Sequence, residues 1–451
     1  IVDLERYGIN PTVGIEAGEN TRIDLGYEYF HDRRTTDRGV PSLNGRPVEG
    51  RDRTFFGDPD DSFSKADVNI LTFGLRHDFG RGLTLRNRTL YGDYDKFYQN
   101  VYPTSAVLPA QVTPIPLPEG PTIGAYNSRN DRRNLISQTD LIYDAPIGGV
   151  EQTLLVGVEL GRQKSRNQRL SGTIANLPGN RAPLIDPTVD VDVTYGRVTS
   201  DADNRTRATF AAIYLQDQIR PTDWLEIVAG IRFDSFKLTV NDERPAVPTR
   251  SRRDQFVSPR LGLVLKPDEN LSFYASYSRS YLPQSGDQFS GLSQTTEALK
   301  PERFDNYEIG AKWEPVRGLL ATAALYQLDR KNTQARDQQD RVVLTGRTRV
   351  RGLELGLERS ISDRWQVSAG YAWQDAEITE TTSAAPAGRK VPLVPKHSFS
   401  MWTKYEMAKP LSLGLGVISR TKSYASISNG VTLPGYTRVD AAAYYKVAKG
   451  V

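Results

Sequence analysis

Aromatic and cationic side chains gather around residues 98–131: Tyr94, Phe97, Tyr98, Tyr102 and Tyr126, with Arg129, Arg132 and Arg133. A second set, Tyr281, Gln284, Gln288 and Phe289, borders residues 284–302. Guanidinium forks donate hydrogen bonds to oxyanions and stack on rings, and ring faces attract cations and flat partners. Together they suit capture of an anionic, flat, aromatic ligand. The same residue types also build interfacial belts and solubilise loops, so each position carries both readings. Covalent chemistry has less support. Cysteine is absent, and the three histidines, His31, His77 and His397, are isolated. No Ser/His/Asp set and no metal-ligand spacing can be picked out. Asp58, Asp60 and Asp61 could suggest Ca²⁺, but solvation or neighbouring lipopolysaccharide explains such a run better. The chain reads as a recognition protein, not an enzyme, with no catalytic residue, resident cofactor or metal.

The elements that must position these groups follow a period of two. At 306–314, Tyr307, Ile309, Ala311 and Trp313 alternate with Asn306, Glu308, Gly310, Lys312 and Glu314. At 364–374, Trp365, Val367, Ala369, Tyr371 and Trp373 alternate with Gln366, Ser368, Gly370, Ala372 and Gln374. Successive side chains of a strand face opposite sides, so each segment is a strand with one apolar and one polar face. Many run for about ten residues or more, the length that a tilted strand needs to cross a bilayer. On the polar parity lie Arg232, Asp234, Glu308, Lys312, Glu354 and Glu358.

Composition agrees. The 451 residues are 38% hydrophobic, with a mean hydropathy of -0.50, and no apolar run approaches the roughly 20 residues of a membrane helix. A transmembrane barrel reconciles these values, because every second residue faces lipid while lumen and loops stay polar. The 22 tyrosines and 5 tryptophans suit interfacial belts. Against 58 basic and 54 acidic residues, a net charge of +4 gives no case for nucleic acid.

About 17 strands are expected, near 5–16, 20–33, 67–80, 82–97, 132–145, 151–167, 205–220, 223–241, 254–266, 270–283, 303–315, 318–331, 341–360, 363–379, 396–407, 410–424 and 436–447. Short turns alternate with long polar segments at roughly 34–66, 98–131, 168–204, 242–253, 284–302, 380–395 and 425–435. That asymmetry is the layout of an outer-membrane barrel, with short periplasmic turns and long extracellular loops. The longest loops are expected to be functional or mobile.

Ordered motifs resemble the barrel of TonB-dependent siderophore receptors. Glu5-Arg6-Tyr7-Gly8-Ile9-Asn10-Pro11, Val257-Ser258-Pro259-Arg260-Leu261-Gly262-Leu263 with Lys266-Pro267, and Ser272-Phe273-Tyr274-Ala275-Ser276-Tyr277-Ser278 are similar to early and middle strands of that family. Leu299-Lys300-Pro301-Glu302 with Asn306-Tyr307-Glu308-Ile309-Gly310 and Lys312 is the strongest match. Gly352-Leu353-Glu354, Val394-Pro395-Lys396-His397 and Leu433-Pro434-Gly435-Tyr436-Thr437-Arg438-Val439-Asp440 continue it.

The resemblance implies an all-β, antiparallel up-and-down barrel of 22 strands around an N-terminal plug, in the outer membrane of a Gram-negative bacterium. Residues 1–451 would be a partial barrel domain, lacking the plug, the TonB-binding segment and the closing strands. The implied ligand is a ferric siderophore, here of catecholate type, whose iron is cargo rather than cofactor. Tyr94, Phe97, Tyr98, Tyr102, Arg132, Arg133, Tyr281, Gln288 and Phe289 would contact it. Arg232, Glu308, Lys312, Glu354 and Glu358 would face the plug and hold it by reversible ion pairs, or simply be hydrated. The implied partners are TonB, outer-membrane lipid and lipopolysaccharide, around a monomer. A receptor for haem, cobalamin or an oligosaccharide, or a passive porin, is the alternative.

Overall fold

In the computed structural model, residues 2–111, 116–284, 289, 291–292, 296–297, 299–336, 342–382 and 385–447 are described. Nineteen strands form one sheet. They are β1 Leu4–Ile9, β2 Thr12–Glu16, β3 Thr21–Thr35, β4 Asp58–Gly80, β5 Leu83–Pro103, β6 Ile123–Asp144, β7 Glu151–Ile174, β8 Val193–Gly196, β9 Asp203–Thr222 and β10 Leu225–Asp242. They continue with β11 Arg250–Asp268, β12 Leu271–Leu282, β13 Glu302–Val316, β14 Leu319–Arg336, β15 Val342–Ser362, β16 Trp365–Ile378, β17 His397–Ala408, β18 Leu411–Arg420 and β19 Tyr436–Tyr445.

Long neighbours pair antiparallel in chain order, an up-and-down meander. β1 and β2 lie end to end against β3, interrupted at Asn10-Pro11, where proline has no N–H for the ladder. Counted as one stave, and with the four-residue β8 taken as an extension of its neighbour, the sheet has the expected 17. β8 extends the ladder at the upper end of β7, from Val193 opposite Ile174 to Gly196 opposite Ser171. Among the described residues no strand joins β1 and β2 to β19. Among the described residues no helix is long and apolar enough to cross a membrane.

Large apolar side chains lie on the outside of this sheet. Leu160 and Ile213 are each 55% exposed, and Leu71, Leu135, Val158, Leu215, Ile231, Phe233, Leu261, Ile309, Leu325 and Leu355 are exposed with them. In water such a band would be ruinous. Against hydrocarbon it is the surface that a barrel needs, because every ladder hydrogen bond is made within the sheet.

The strands outrun their sequence-based limits. β4 begins at Asp58 rather than 67, β5 reaches Pro103 rather than 97, β6 begins at Ile123 rather than 132, and β7 reaches Ile174 rather than 167. Above the membrane both faces meet water, so alternation disappears from the sequence while the backbone ladder continues. The connections above these strands are correspondingly ordered. Val101, Ile123, Ile174, Ala182 and Val191 form a small core there. Gly57 receives a hydrogen bond from Val189 and donates one to Pro187, and Thr188 Oγ1 donates to the Phe55 carbonyl. Gly57 sits at φ 127°, and a side chain there would collide with the Val101 carbonyl, so glycine is required. Residues 36–57, 104–111, 116–122 and 175–202 belong to this laced cap.

Candidate functional site

Side-chain direction along β5 and β6 sorts the first recognition set. Tyr91 and Leu135 are exposed on the lipid face, so Phe97 and Arg133, at even spacing from them, also point outward. Phe97 packs 5.5 Å from Phe63, and Arg133 Nε donates to Asp93 at 3.1 Å. Arg129 is also outward, paired with Asp95 at 2.9 Å. Strand parity turns these three side chains away from the lumen, where the sequence reading had grouped them with the inward tyrosines.

Tyr94, Tyr98, Tyr102, Tyr126 and Arg132 share the inward parity. The ring of Tyr94 occupies the space beside Gly92, with Lys96 5.4 Å from its centroid. Arg132 stands opposite Tyr94 and Ser165.

Higher up, the structure adds two arginines that the sequence reading missed. Arg38 Nη1 donates to Tyr98 Oη at 3.3 Å and Tyr126 Oη at 3.1 Å, and its guanidinium lies 4.5 Å from the Tyr102 centroid. Arg169 covers the Tyr126 ring at 4.0 Å. Tyr126 lies 5.6 Å from both Tyr98 and Tyr102. Burial, then proximity to Tyr98, raises the Tyr126 phenol above its usual value, so it stays a neutral hydrogen-bonding group. Both arginines are exposed while the tyrosines are half-buried. The cluster presents cationic edges on an aromatic floor, a surface for flat anions.

A second aromatic wall lies across β9 to β12. It lines a cavity of about 460 Å³ with Phe210, Phe236, Phe256, Tyr281 and Phe289. Tyr281 stacks on Phe256 at 5.1 Å, and Phe289 lies 4.8 Å from Phe236. The β11–β12 ladder stops at Arg260 opposite Ser278, beside Pro259, and above it Tyr281 reaches Phe256. Phe210 lies over Gly161, which leaves its ring room. Gln284 instead anchors its own loop, donating to the Lys300 and Asn332 carbonyls at 2.6 and 2.9 Å. Gln288 lies outside the described residues.

The lumen charges divide. Arg232 is held by Glu159 at 2.9 Å and Asp234 at 2.8 Å, and Glu308 accepts from Tyr274 Oη at 2.6 Å. Lys312, Glu354 and Glu358 are exposed. Asp58 is a loop clasp: its Oδ1 accepts from the Asp60 and Asp61 amides and its Oδ2 from the Val191 amide. Among the described residues no group of three or more His, Asp or Glu could hold a metal ion. All three histidines lie on the outer face: His31 bonds Asp67, His77 bonds Thr21 and His397 bonds Tyr371.

Residues 9–451 match the family model described as TonB dependent receptor-like, beta-barrel. A protein of Acinetobacter baumannii named probable TonB-dependent siderophore receptor PiuA is 27% identical over 100% of this chain. The catecholate siderophore receptor Fiu of Escherichia coli is 24% identical, also over 100%. The chain spans 65% of the length of each. The crystal structure of the A. baumannii siderophore receptor PiuA superposes with a TM-score of 0.83 at 25% identity, covering 99% of this chain and 69% of that one. By the reach of that match and the barrel it describes, the chain belongs to the TonB dependent receptor-like β-barrel family of the Gram-negative outer membrane.

Proposed function

We propose that the whole protein is a receptor and transporter, not an enzyme, that captures a ferric siderophore of catecholate type and imports it with energy delivered through TonB. The observation that carries this reading is the inward cluster of Arg38, Tyr98, Tyr102, Tyr126 and Arg169 beneath the laced cap. Ring faces and guanidinium edges there match an anionic complex whose ligands are themselves flat rings. The names of the relatives point the same way. Tyr94, Arg132 and the aromatic cavity with Tyr281 and Phe289 would form the deeper wall of the path. Exposed Lys312, Glu354 and Glu358 would meet a plug, whereas Arg232 and Glu308 brace the wall itself. Haem capture by a lumen histidine is disfavoured, because the histidines are on the lipid side.

The test is growth of a receptor-deleted strain, carrying the full-length gene, on single iron–siderophore sources with and without TonB. Growth on catecholate complexes that requires TonB is expected. Uptake that persists without TonB would overturn active transport in favour of a passive pore.

A further inference from the structure

Between β11 and β12 the wall comes apart. The ladder that joins them stops at Arg260 opposite Ser278. Above that rung β11 stays paired with β10 as far as Arg250 opposite Val240, and β12 stays paired with β13 as far as Leu282 opposite Glu302. Among the described residues no further rung joins the two strands to each other. The parting begins at hydrocarbon height. Ile231 and Phe233 of β10 stand opposite Pro259 and Val257, and Ile231, Phe233 and Val257 are all exposed on the outer face.

Side chains of the two faces meet in this gap. Counted from exposed Val257, Phe256 points to the lumen, whereas Tyr281, counted from exposed Phe273, belongs to the outer face. Their rings nevertheless stack at 5.1 Å, with planes 15° apart. The cavity of about 460 Å³ is lined from both sides of the seam, by Phe256 and Ser258 of β11 and by Ser280 and Tyr281 of β12, and Phe236 and Phe289 add to its walls. It lies within the thickness of the wall, not merely on its lumen surface.

The lining decides what fits. Rings dominate it, and neither of its two guanidiniums serves a guest inside. Arg232 is held by Glu159 at 2.9 Å and Asp234 at 2.8 Å, and Arg162 has the outward parity of exposed Leu160. An anionic chelate would lose its hydration there without finding a partner. An uncharged chain gains from every apolar group taken out of water. A gap between two strands is long in one direction, the shape of a chain rather than of a ring system. One row beneath Ser258, Arg260 is exposed on the lumen face and has no ion pair among the described residues, so a cation stands at the lower lip. We infer that the seam cavity is a binding site for an aliphatic acyl chain carried by the ferric complex, with the chain between β11 and β12 and the chelating head in the lumen beside Arg260. This deepens the capture reading given above and rests on it: the substrate is an amphiphile, not a bare chelate.

The test uses the full-length receptor in phosphatidylcholine nanodiscs, with binding to empty nanodiscs subtracted. The ligands share one synthetic ferric tris-catecholate head and carry no chain or a butanoyl, hexanoyl, octanoyl, dodecanoyl or hexadecanoyl chain. Equilibrium affinity is expected to rise about fourfold per added methylene over the shorter chains and then to level off, because the cavity is finite. Anchoring in the bilayer alone would keep rising with length. Ser258→Phe and, separately, Ser280→Trp fill the space from either side of the seam. Both are expected to flatten the dependence on chain length while binding the chainless head as the wild type does. Equal affinity for every chain length in the wild type overturns the inference, as does a rise that never levels off or a dependence that both filled variants retain. Failure of the chainless head to bind the wild type at all overturns the capture reading as well. Binding of the head with no effect of the chain overturns this inference alone.

Discussion

Arg38 reaches the lumen cluster from a connection without regular structure, so no periodicity marks it, yet it joins three tyrosines at once. Arg38→Ala in the full-length receptor is expected to weaken ferric catecholate binding by about 5- to 30-fold, the range of one to two kcal/mol for a partly desolvated cation–ring contact. Tyr126→Phe, which keeps the ring under Arg169 but removes the hydroxyl, should lose less. Equilibrium binding of the radiolabelled complex measures both, and an Arg38→Ala variant with wild-type affinity would remove the cluster from the site. At this scale parity was the signal that the sequence offered. A count from Tyr91 puts Tyr94, Tyr98 and Tyr102 inward and Phe97 outside. Proximity in sequence had grouped them together. Phe210, Phe236 and Phe256 went unnamed, Phe210 because the polarity at 208–219 is blurred, and the partnership of Tyr281 with Phe256 depends on where the β11–β12 ladder ends.

Among elements, the cap over β4 to β8 shows why strand ends were hard to read. Alternation is written by a difference between two media, and above the bilayer that difference vanishes. Phe55 and Phe56 are buried there within a stretch that otherwise looks like polar loop. The cap has a titratable weak point. Burial, then the charges of Asp58, Asp60 and Asp190, raises the Asp61 carboxyl above its ordinary value of 3.8. A raised folded-state pKa means that its contribution is fully present below 3.8 and is lost as pH climbs through the raised value. At neutral pH the ionised group therefore strains the cap. Asp61→Asn can keep the hydrogen bond from Gln99 while removing the charge. The variant should hold the cap more tightly at pH 7 and match the wild type near pH 3. Fluorescence anisotropy of a dye on Arg51→Cys reads this, and a difference that grows toward acid would contradict it. Gly57→Ala should loosen the cap at every pH, because its collision with the Val101 carbonyl does not titrate.

For the whole molecule, the two faces of the sheet predict opposite responses to the same substitution. Val158 is exposed amid the apolar band, and Glu354 is exposed on the lumen side of β15. Val158→Arg should cost about 2–4 kcal/mol near the bilayer midplane, falling toward the interfaces, whereas Glu354→Arg should be nearly neutral. Reversible unfolding of the full-length protein from phospholipid vesicles measures both, and equal penalties would contradict the assignment of faces. The number of staves and their order were legible because ten or so alternating residues suffice to mark a crossing. The height of the wall was not. β7 has 24 residues and β4 has 23, but β18 and β19 have 10 each. A crossing needs about ten residues, so the tall staves carry more than half of their backbone hydrogen bonds through water. Slow amide exchange is ordinarily taken as the footprint of the bilayer on such a protein. Here protection should run well past the headgroups on the β4–β7 side and stop near them at β18 and β19. An exchange map of this receptor will trace the profile of its wall, and the membrane's own edge will have to be found by lipid contact instead.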